Sequence, residues 1–457
     1  MEKLFEYLAQ QEQAHLEELF TLLRQKSISA TGEGIPECAG LLAEIMRKSG
    51  IEHVQLYPTA GHPIVYGDVL AGEDCPTLLV YGHYDVQPVE PLELWDTDPF
   101  EPVIRDGRLF CRGCSDDKAQ LYAHIKGMEA VLKIHGRPKV NVKYLFEGEE
   151  EIGSPHLKEF IRTHIGLLQC DACIYSDGCY HDSGHPMLLL GVKGTISAEI
   201  TIKTAERETH SMRAAAVPSA AWRMVNLLHT LKGEDGTVKI DRFYEHVRPI
   251  TPLEKETCAK IPFDHQKMLD FYGVSAFIKG RVSDDYYYNM VFEPTCNISG
   301  LKAGYVGKEA KGIVPNTATV RLDMKLVPEQ TIGEIQEKLL SHLQRHGFGD
   351  AVVRFSQGGF EPCWTPINDF YVQVAKEAVQ KGFGEDPILL PSAAGGAPHY
   401  LFADYLGVNT IEIPYASADQ NNHAPNERML LSGFFAGIRT SAALILCFRR
   451  MPAPEAT

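Results

Sequence analysis

Side chains of the kind that hold metal ions occur in five separate stretches of the sequence, and four of these stretches follow runs of apolar residues. An apolar run of this length is typical of a strand covered on both faces, and sheets flanked by helices carry ligand-binding residues at the carboxyl ends of their strands. The repeated pattern therefore predicts a metal site at one edge of a sheet. The side chains are His83, Asp116, Glu150, Glu151 and Asp177, with His423 in the fifth stretch near the C-terminus.

This set of side chains is the one that a two-metal hydrolase needs. Two ions about 3.5–4 Å apart require a carboxylate that binds both, with histidine and carboxylate ligands on either side. Asp116 lies where a loop leads into a helix, and we expect it to bridge the two divalent ions. His83 and Asp177 are then available to one ion, and Glu151 and His423 to the other. Such ligands without cysteine favour Zn²⁺, with Mn²⁺ or Co²⁺ as alternatives.

Two further carboxylates fit this chemistry without being ligands. A hydrolase of this kind needs a group that takes the proton of the attacking water, and Glu150 is the residue left for that role. Its neighbour Glu151 can still face a metal, because the backbone turns at the end of a strand. Asp85 lies two residues after His83 and therefore on the same side of the strand. We expect Asp85 to orient the imidazole of His83.

Each residue also has an ordinary structural explanation. His83 could be a hydrogen-bonded core histidine, Asp116 and Asp117 could be helix N-caps, and the glutamates at 147–151 could form a solvated loop. Solvated acids have no reason to collect at the ends of several buried strands, so the joint occurrence favours a metal site. A metal-dependent binding protein without catalysis is the alternative of another class, but it has no use for Glu150.

The elements that position these residues alternate between strand and helix over the first part of the chain. Apolar runs at 77–82, 140–146 and 171–177 predict buried strands, and a helix with apolar residues at helical spacing begins at Asp116 and Asp117. This alternation predicts an α/β fold with a central, mostly parallel sheet flanked by helices.

After Gly191 the pattern of polar and apolar residues changes. Polar and apolar residues alternate at 195–204, as in a strand with one exposed face, and we predict a smaller α+β lid domain inserted into the first domain. Residues 232–295 carry few periodic signals and are predicted to be an irregular extension. The predicted boundaries are 1–190 and 362–457 for the two parts of the catalytic domain and 191–361 for the lid.

Composition excludes several classes of protein. The 457 residues are 44% hydrophobic and 23% charged, as in a globular protein of more than one domain. The formal net charge of −16 argues against a nucleic-acid partner, which requires a basic face. No apolar stretch is long enough to span a membrane. The acidic, amphipathic N-terminus is not typical of a signal peptide, and we expect a cytoplasmic protein.

The 11 cysteines favour free thiols in a reducing compartment, because their number is odd and their positions are scattered. Cys111 with Cys114, and Cys170 with Cys173, have the CxxC spacing of zinc ligands. The gap between the two pairs is far longer than in a zinc ribbon. We therefore interpret all four as packed thiols.

The motifs GHYDVQP, CRGCSDDK, EGEEEIGS, YSDG, THS and HAPNE resemble the successive motifs of the co-catalytic di-metal peptidases. That family contains carnosinases, bacterial dipeptidases, glutamate carboxypeptidases, aminoacylases and succinyl-diaminopimelate desuccinylase. The resemblance runs from about residue 13 to the C-terminus, and the first two motifs are most similar to the carnosinase-like dipeptidases. It implies the same ligands, base and supporting acid as the chemistry above.

The resemblance also implies roles for the lid domain. His210 in ETHSMRA corresponds to the lid histidine that hydrogen-bonds the developing oxyanion. In dimeric members this histidine reaches the active site of the partner subunit, so we expect a homodimer that pairs through the lid.

Two departures from the family concern the substrate. Lys325 stands where members of the family often have an arginine that holds the substrate carboxylate. Because a lysine lacks the bidentate fork of an arginine, Arg213 or Arg321 could contribute to binding this carboxylate. In the glycine loop, Ala397 follows Gly395 and Gly396 where a serine is often found. The backbone N–H groups of the two glycines remain available to the substrate, and His399 could replace the missing hydroxyl.

We therefore predict an enzyme that hydrolyses the amide bond of a small peptide substrate, in particular a dipeptide with a free C-terminal carboxylate. An N-acyl-amino-acid deacylase on the same scaffold is the alternative enzyme. The two differ in whether the substrate carries a free amine.

Overall fold

The computed structural model describes residues 1–278, 283–356 and 358–452. These residues divide into two compact units. The first unit comprises Met1–Gly191, Trp364–Pro391 and the described part of Leu401–Thr457, and the second comprises Val192–Cys363 and Ser392–Tyr400. The glycine loop at 392–400 therefore belongs with the second unit, whereas the boundaries drawn from the sequence set it in the C-terminal part of the first domain.

The strands in chain order are β1 Glu52–Tyr57, β2 Ile64–Val69, β3 Thr77–His83, β4 Val103–Arg105, β5 Arg108–Phe110, β6 Asn141–Glu147, β7 Ala172–Tyr175, β8 Met187–Leu189, β9 Gly191–Val192, β10 Gly194–Lys203, β11 Thr209–His210, β12 Thr295–Ala303, β13 Ile313–Val314, β14 Thr317–Leu326, β15 Val352–Phe355, β16 Cys363–Trp364, β17 Ile388–Leu390, β18 Thr410–Glu412 and β19 Arg428–Leu430. The α-helices are α1 Glu2–Arg24, α2 Ile35–Lys48, α3 Lys118–His135, α4 Leu157–Thr163, α5 Ile165–Leu168, α6 Ala220–Leu231, α7 Pro252–Ala259, α8 His265–Tyr272, α9 Ser283–Phe292, α10 Ile332–Arg345, α11 Phe370–Phe383, α12 His399–Leu406 and α13 Leu431–Cys447.

The first unit is built on an eight-stranded sheet in the order β1-β2-β6-β3-β7-β18-β8-β17. The pairs β3·β6, β3·β7, β7·β18 and β8·β17 are parallel, so the predicted mostly parallel sheet is confirmed. β3 is almost entirely buried, which explains why its sequence is a continuous apolar run.

Helices α3, α11 and α13 pack closely in the first unit. Gly127 of α3 allows this approach, because a Cβ there would lie 2.7 Å from the Cβ of Ser441 and 2.8 Å from the main-chain N of Ala442. A Cβ on Gly382 of α11 would lie 2.0 Å from Oγ1 of Thr440. Both glycines therefore serve helix packing, which fixes the start of α3 beside the sheet.

The second unit contains an antiparallel sheet in the order β12-β14-β10-β15. Alternate residues of β10 and β14 are buried, as the polar–apolar alternation predicts. Their buried faces pack with apolar residues of α6 and α10 into a separate core, which includes Ile200, Val320, Leu227 and Leu339. This arrangement matches the predicted smaller α+β lid.

The segment predicted to be irregular, 232–295, contains the three short helices α7, α8 and α9. A capping box begins α7, in which the Thr251 side chain accepts a hydrogen bond from the N–H of Glu254 while the Glu254 side chain accepts one from the N–H of Thr251. Asp264 caps α8 in the same way through the N–H of Lys267. Local capping thus stabilises helices that are too short to show a clear apolar period. Among the described residues, no helix is long and apolar enough to cross a membrane.

Candidate metal centre

The register of the central sheet brings the predicted ligands to one edge. His83 is the last residue of β3 and pairs with Glu147, the last residue of β6. Tyr81 of β3 pairs with Tyr175, the last residue of β7. The residues that follow β6 and β7, including Asp177, therefore leave the sheet beside His83.

Two groups of ligand atoms share one aspartate. The Nε2 atom of His83 lies 3.2 Å from Oδ1 of Asp116 and 3.6 Å from Oδ2 of Asp177. The Nε2 atom of His423 lies 3.0 Å from Oδ2 of Asp116 and 3.0 Å from Oε2 of Glu151. The two oxygens of Asp116 thus face different groups, which is the arrangement expected of a bridging carboxylate. The ligand roles themselves stay a prediction.

The chemistry of these atoms fits divalent cations. His83 is fully buried, and its Nε2 atom has no hydrogen bond of acceptable geometry within the described residues. A buried polar nitrogen in this situation calls for a proton shared with the carboxylates or for a metal ion. Burial opposes protonation of His83, yet the carboxylates of Asp116 and Asp177 outweigh it and raise the pKa of this histidine.

The second group shows the same excess of negative charge. The carboxylates of Asp116 and Glu151 raise the pKa of His423 to about 10. Burial, together with the charge of Asp116, raises the pKa of Glu151 to about 7. The carboxylates of this group therefore favour a positive charge between them, which a divalent cation would supply.

Glu150 stands apart from both ligand groups, as its predicted role as a base requires. Burial raises the pKa of its carboxyl group well above the usual range, despite the opposing effect of His83. A carboxyl group with a raised pKa is suited to take up and return a proton near neutral pH.

Asp85 is placed somewhat differently from our expectation. The Nδ1 atom of His83 lies 3.1 Å from the main-chain oxygen of Asp85 and 3.4 Å from its Oδ1 atom. The carboxylate of Asp85 accepts hydrogen bonds from the main-chain N–H groups of Glu150 and Glu151, at 3.2 and 3.1 Å. Asp85 therefore fixes the turn that carries both glutamates as well as lying beside the imidazole.

Asp117 occupies the N-cap position of α3, but its side chain does not cap the helix. Its Oδ2 atom instead accepts a hydrogen bond from the main-chain N–H of His83, at 3.2 Å. The capping explanation is therefore wrong for Asp117, which joins the start of α3 to the end of β3.

Glu427, the last residue of the HAPNE motif, belongs to the site although it was not predicted from the sequence. Its side chain is fully buried and pairs with Arg112, with Nη1 2.7 Å from Oε2. Its two oxygens also accept hydrogen bonds from the main-chain N–H groups of Gly113, Ser115 and Asp116, at 2.8–3.0 Å. Glu427 thus holds the loop that presents Asp116. The signal available in the sequence was an acid in the same motif, four residues after a predicted ligand.

Tyr175 is a second residue that the sequence argument did not single out. Its hydroxyl donates a short hydrogen bond to Oδ2 of Asp177, which fixes the carboxylate that faces His83.

His210 and Arg213 lie in the second unit, at a strand end and in the short helical turn that follows it. Both side chains are exposed. The Nδ1 atom of His210 accepts a hydrogen bond from the N–H of Met212, at 3.1 Å. Its Nε2–H is thereby left as the donor that the predicted oxyanion contact needs.

Lys325 lines a cavity of about 290 Å³ in the second unit, together with Lys193 and the apolar or aromatic side chains of Phe277, Tyr286 and Met290. The ammonium of Lys325 lies 3.3 Å from Oγ1 of its neighbour Thr195. Lys193, which was not predicted, is buried and donates to the main-chain oxygen of Glu293 at 2.6 Å. Burial, aided by the charge of Lys325, lowers the pKa of Lys193 to about 8.

The glycine loop packs against the chain segment that contains Lys193 and Thr195. The main-chain oxygen of Gly395 accepts a hydrogen bond from the N–H of Lys193, at 2.9 Å. A Cβ on Gly396 would lie 2.6 Å from Oγ1 of Thr195, so this position has no room for a side chain. His399 is buried, and burial lowers its pKa to about 3. A neutral His399 offers a hydrogen bond but no charge to a carboxylate.

The cysteines of the CxxC pairs belong to none of the candidate metal groups among the described residues. The thiol of Cys111 donates to the main-chain oxygen of Pro99 at 3.2 Å, and that of Cys114 to the oxygen of Leu109 at 3.4 Å. None of the 11 cysteines, all of which lie in the described part of the chain, is in a disulfide bond.

Comparison with known proteins gives a consistent result. The model of the peptidase family M20/M25/M40 matches residues 79–446. Beta-Ala-His dipeptidase of Rattus norvegicus is 24% identical over 84% of this chain and 79% of its own length. The Cys-Gly metallodipeptidase DUG1 of Saccharomyces cerevisiae is 27% identical over 82% of this chain and 80% of its own length.

Solved structures agree with these relatives. The M20 family metallo-carboxypeptidase Sso-CP2 from Sulfolobus solfataricus has a TM-score of 0.88 and 34% identity, covering 94% of this chain and 98% of that one. Human carnosine dipeptidase 1 has a TM-score of 0.79 and covers 98% of both chains, at 22% identity, which is a likeness of fold.

Proposed function

The chain belongs to the peptidase family M20/M25/M40, and from that premise we propose that it is a dipeptidase that acts on small substrates with a free C-terminal carboxylate. It is a metallopeptidase, and its predicted ligands converge as that activity requires. The single observation that carries the proposal is the position of Asp116, whose two oxygens face His83 and His423.

The proposed site would hold two divalent ions, one by His83 and Asp177, one by Glu151 and His423, and both by Asp116. When bound, such ions polarise a carbonyl group and lower the pKa of a bound water. We favour Zn²⁺, with Mn²⁺ or Co²⁺ as alternatives, because histidine and carboxylate ligands suit all three.

The residues of the chain supply the proton transfers. Glu150 takes the proton of the attacking water and returns it to the leaving amine. The carboxylate of Asp85 accepts a hydrogen bond from the main-chain N–H of Glu150 and so keeps Glu150 in place. His210 donates its Nε2–H to the oxyanion that develops at the scissile carbonyl.

Lys325 is proposed to bind the C-terminal carboxylate of the substrate, and Lys193 adds a second ammonium on the same cavity. Two point charges replace the bidentate fork of an arginine. The backbone N–H groups of Gly395 and Gly396 and a hydrogen bond from neutral His399 are further candidates for this contact. Arg213 is exposed and could bind the same carboxylate from another direction.

A deacylase on the same scaffold is the less favoured enzyme, because the relatives named above are dipeptidases or a carboxypeptidase. A binding protein without catalysis is also disfavoured, since Glu150 lies beside the ligands with a raised pKa and has no role in binding alone.

Assembly and location belong to the same proposal. We propose a homodimer that pairs through the lid, because Trp222 and Val225 expose one apolar face of α6 and Leu301 is exposed on β12, the edge strand of the lid sheet. A cytoplasmic location is proposed because none of the 11 cysteines is in a disulfide bond, as is usual for proteins of a reducing compartment.

The test is hydrolysis of a dipeptide panel and of matched N-acetyl amino acids by metal-stripped protein that is reloaded with Zn²⁺ or Mn²⁺. Metal-dependent cleavage of the free-amine dipeptides alone supports the proposal. Cleavage of the acetylated substrates alone would instead identify a deacylase. Absence of cleavage in both sets, with metal bound, would contradict both enzymes.

A further inference from the structure

Two histidines lie one helical turn apart at the end of α10, in the second unit. His342 is in the last turn of the helix, and His346 follows its last residue. Their rings stack with centroids 4.0 Å apart. Histidines at i and i+4 on one helix face present two nitrogens to the same point, which is a common way to bind a metal ion.

Asp241 brings a carboxylate to the same point. Its Oδ2 atom lies 3.4 Å from Nδ1 of His342 and 3.7 Å from Nε2 of His346. One ligand atom from each of the three residues lies within 4.8 Å of the others. These separations suit three ligands around one small cation.

A network of hydrogen bonds holds His342 in the form that binds metals. The hydroxyl of Thr230 donates to the main-chain oxygen of Leu227 at 2.7 Å, so it must accept from Nε2–H of His342 at 3.0 Å. The proton on Nε2 leaves Nδ1 as an acceptor, and in this structure Nδ1 takes a hydrogen bond from the main-chain N–H of Asp241. A hydrogen bond to the outer nitrogen is the usual support of a histidine ligand.

We propose that Asp241, His342 and His346 bind a divalent transition-metal ion of the Zn²⁺ type, as a site of their own. Three protein ligands leave one position of a tetrahedral ion for water or an external ligand. The ion would join the segment after α6 to the end of α10 and so stabilise the lid unit.

Arg345 competes with the proposed ion. Its guanidinium lies 2.9 Å from Oδ2 of Asp241, on the atom that would bind the metal. The main-chain N–H of Asp241 also donates a hydrogen bond to Nδ1 of His342 at 3.2 Å, and the ion would have to displace this bond. Because the Arg345 side chain is 55% exposed, it can turn into solvent when the ion binds. Removal of this arginine should therefore strengthen metal binding.

The experiment measures Zn²⁺ equivalents per chain by elemental analysis after equilibrium dialysis of the full-length protein, with the variants His346→Gln and Arg345→Gln. The difference between wild type and His346→Gln is expected to be one equivalent, and this difference does not depend on how many ions the catalytic site holds. We expect Arg345→Gln to bind the same equivalent with a several-fold lower Kd. Equal stoichiometry in wild type and His346→Gln, or weaker binding by Arg345→Gln, would overturn the proposal.

A second readout separates binding from folding. Dipeptidase activity is expected to be unchanged in His346→Gln, because the side chain is 40% exposed and belongs to none of the predicted catalytic residues. The melting temperature of wild type should rise on addition of Zn²⁺ to protein whose catalytic site is already loaded. The same addition should leave His346→Gln unchanged, and an equal rise in both proteins would contradict a site at these residues.

Discussion

At the scale of single residues, Glu150 allows the clearest test of the reaction. We expect Glu150→Gln to lower kcat by about 10²–10⁴-fold, because the amide cannot take up the proton of the attacking water. Metal content should be unchanged, since Glu150 is absent from both ligand groups. Steady-state kinetics with elemental analysis check both outcomes. Loss of metal along with activity would show that Glu150 is a ligand and not a base.

Glu427 is expected to act by positioning Asp116. Glu427→Gln keeps the shape of the side chain but leaves the buried guanidinium of Arg112 without its counter-charge, which costs about 3–5 kcal/mol of stability. Affinity for the catalytic metals should fall about 10–100-fold, as for other residues that support ligands. Titration of the stripped protein with Zn²⁺, followed by activity, measures the loss.

The matched control for this substitution is Glu385→Gln. Glu385 forms an exposed ion pair with His185 in the same unit, and an exposed pair contributes only about 0–1 kcal/mol. If Glu427→Gln lowered activity equally at all Zn²⁺ concentrations, the positioning role would be wrong.

The sequence predicted most of the proposed ligands because four of the five stretches that carry them follow apolar runs, with that of His423 as the exception. It did not reveal Glu427, since the Arg112 that neutralises its charge is 315 positions away in the chain. The alternative that Asp117 caps α3 failed for a related reason. Its position before a helix is typical of an N-cap, and only the packing of α3 against β3 directs its carboxylate to His83 instead.

At the scale of elements, the residue before β10 and the end of β14 place Lys193 and Lys325 on one cavity. Lys325 pairs with Thr195 in the antiparallel register, and Lys193 precedes that position by two residues. We expect Lys193→Met to raise KM for dipeptides about tenfold or more with little change in kcat, because a charged hydrogen bond contributes about 1.5–3 kcal/mol. The control is Lys203→Met, at the exposed end of β10.

The pH dependence of KM tests the same element. The pKa of Lys193 is lowered to about 8. Its side chain therefore carries a positive charge below this pH and loses that charge as the pH rises above it. KM of the wild type should therefore rise above about pH 8. Lys193→Arg should flatten the rise, because the guanidinium stays charged. A KM that rises identically in wild type and Lys193→Arg would exclude Lys193 as the titrating group.

Strands that appear as continuous apolar runs were predictable, and the short helices were not. β3, β6 and β7 agree with the apolar runs to within a few residues, because strands buried on both faces need no periodic pattern. Helices α7 to α9 each have at most 10 residues, too few turns for an apolar face to stand out. The capping box from Thr251 to Glu254 was legible in the sequence and is the signal that would have identified α7.

At the scale of the whole molecule, the proposed dimer would depend on apolar surface of the lid. Trp222 is 71% exposed on α6, an unusual position for a large aromatic side chain unless a partner covers it. Trp222→Glu is expected to give a monomer, measured by light scattering after gel filtration. Lys255→Glu, a charge change elsewhere in the lid, should leave the mass unchanged. A Trp222→Glu protein that keeps the mass of the wild type would exclude this face.

A mixture of two inactive proteins tests whether His210 acts across the dimer. Each Glu150→Gln protomer retains His210, and each His210→Asn protomer retains Glu150. In a mixed dimer, the active site with an intact Glu150 receives an intact His210 only if the histidine comes from the partner subunit. We therefore expect co-refolding of the two variants to restore activity that neither has alone. If His210 serves its own chain, every active site lacks one of the two groups and the mixture stays inactive. Restored activity that disappears when Trp222→Glu is added to both chains would place the catalytic unit of this enzyme at the level of the dimer.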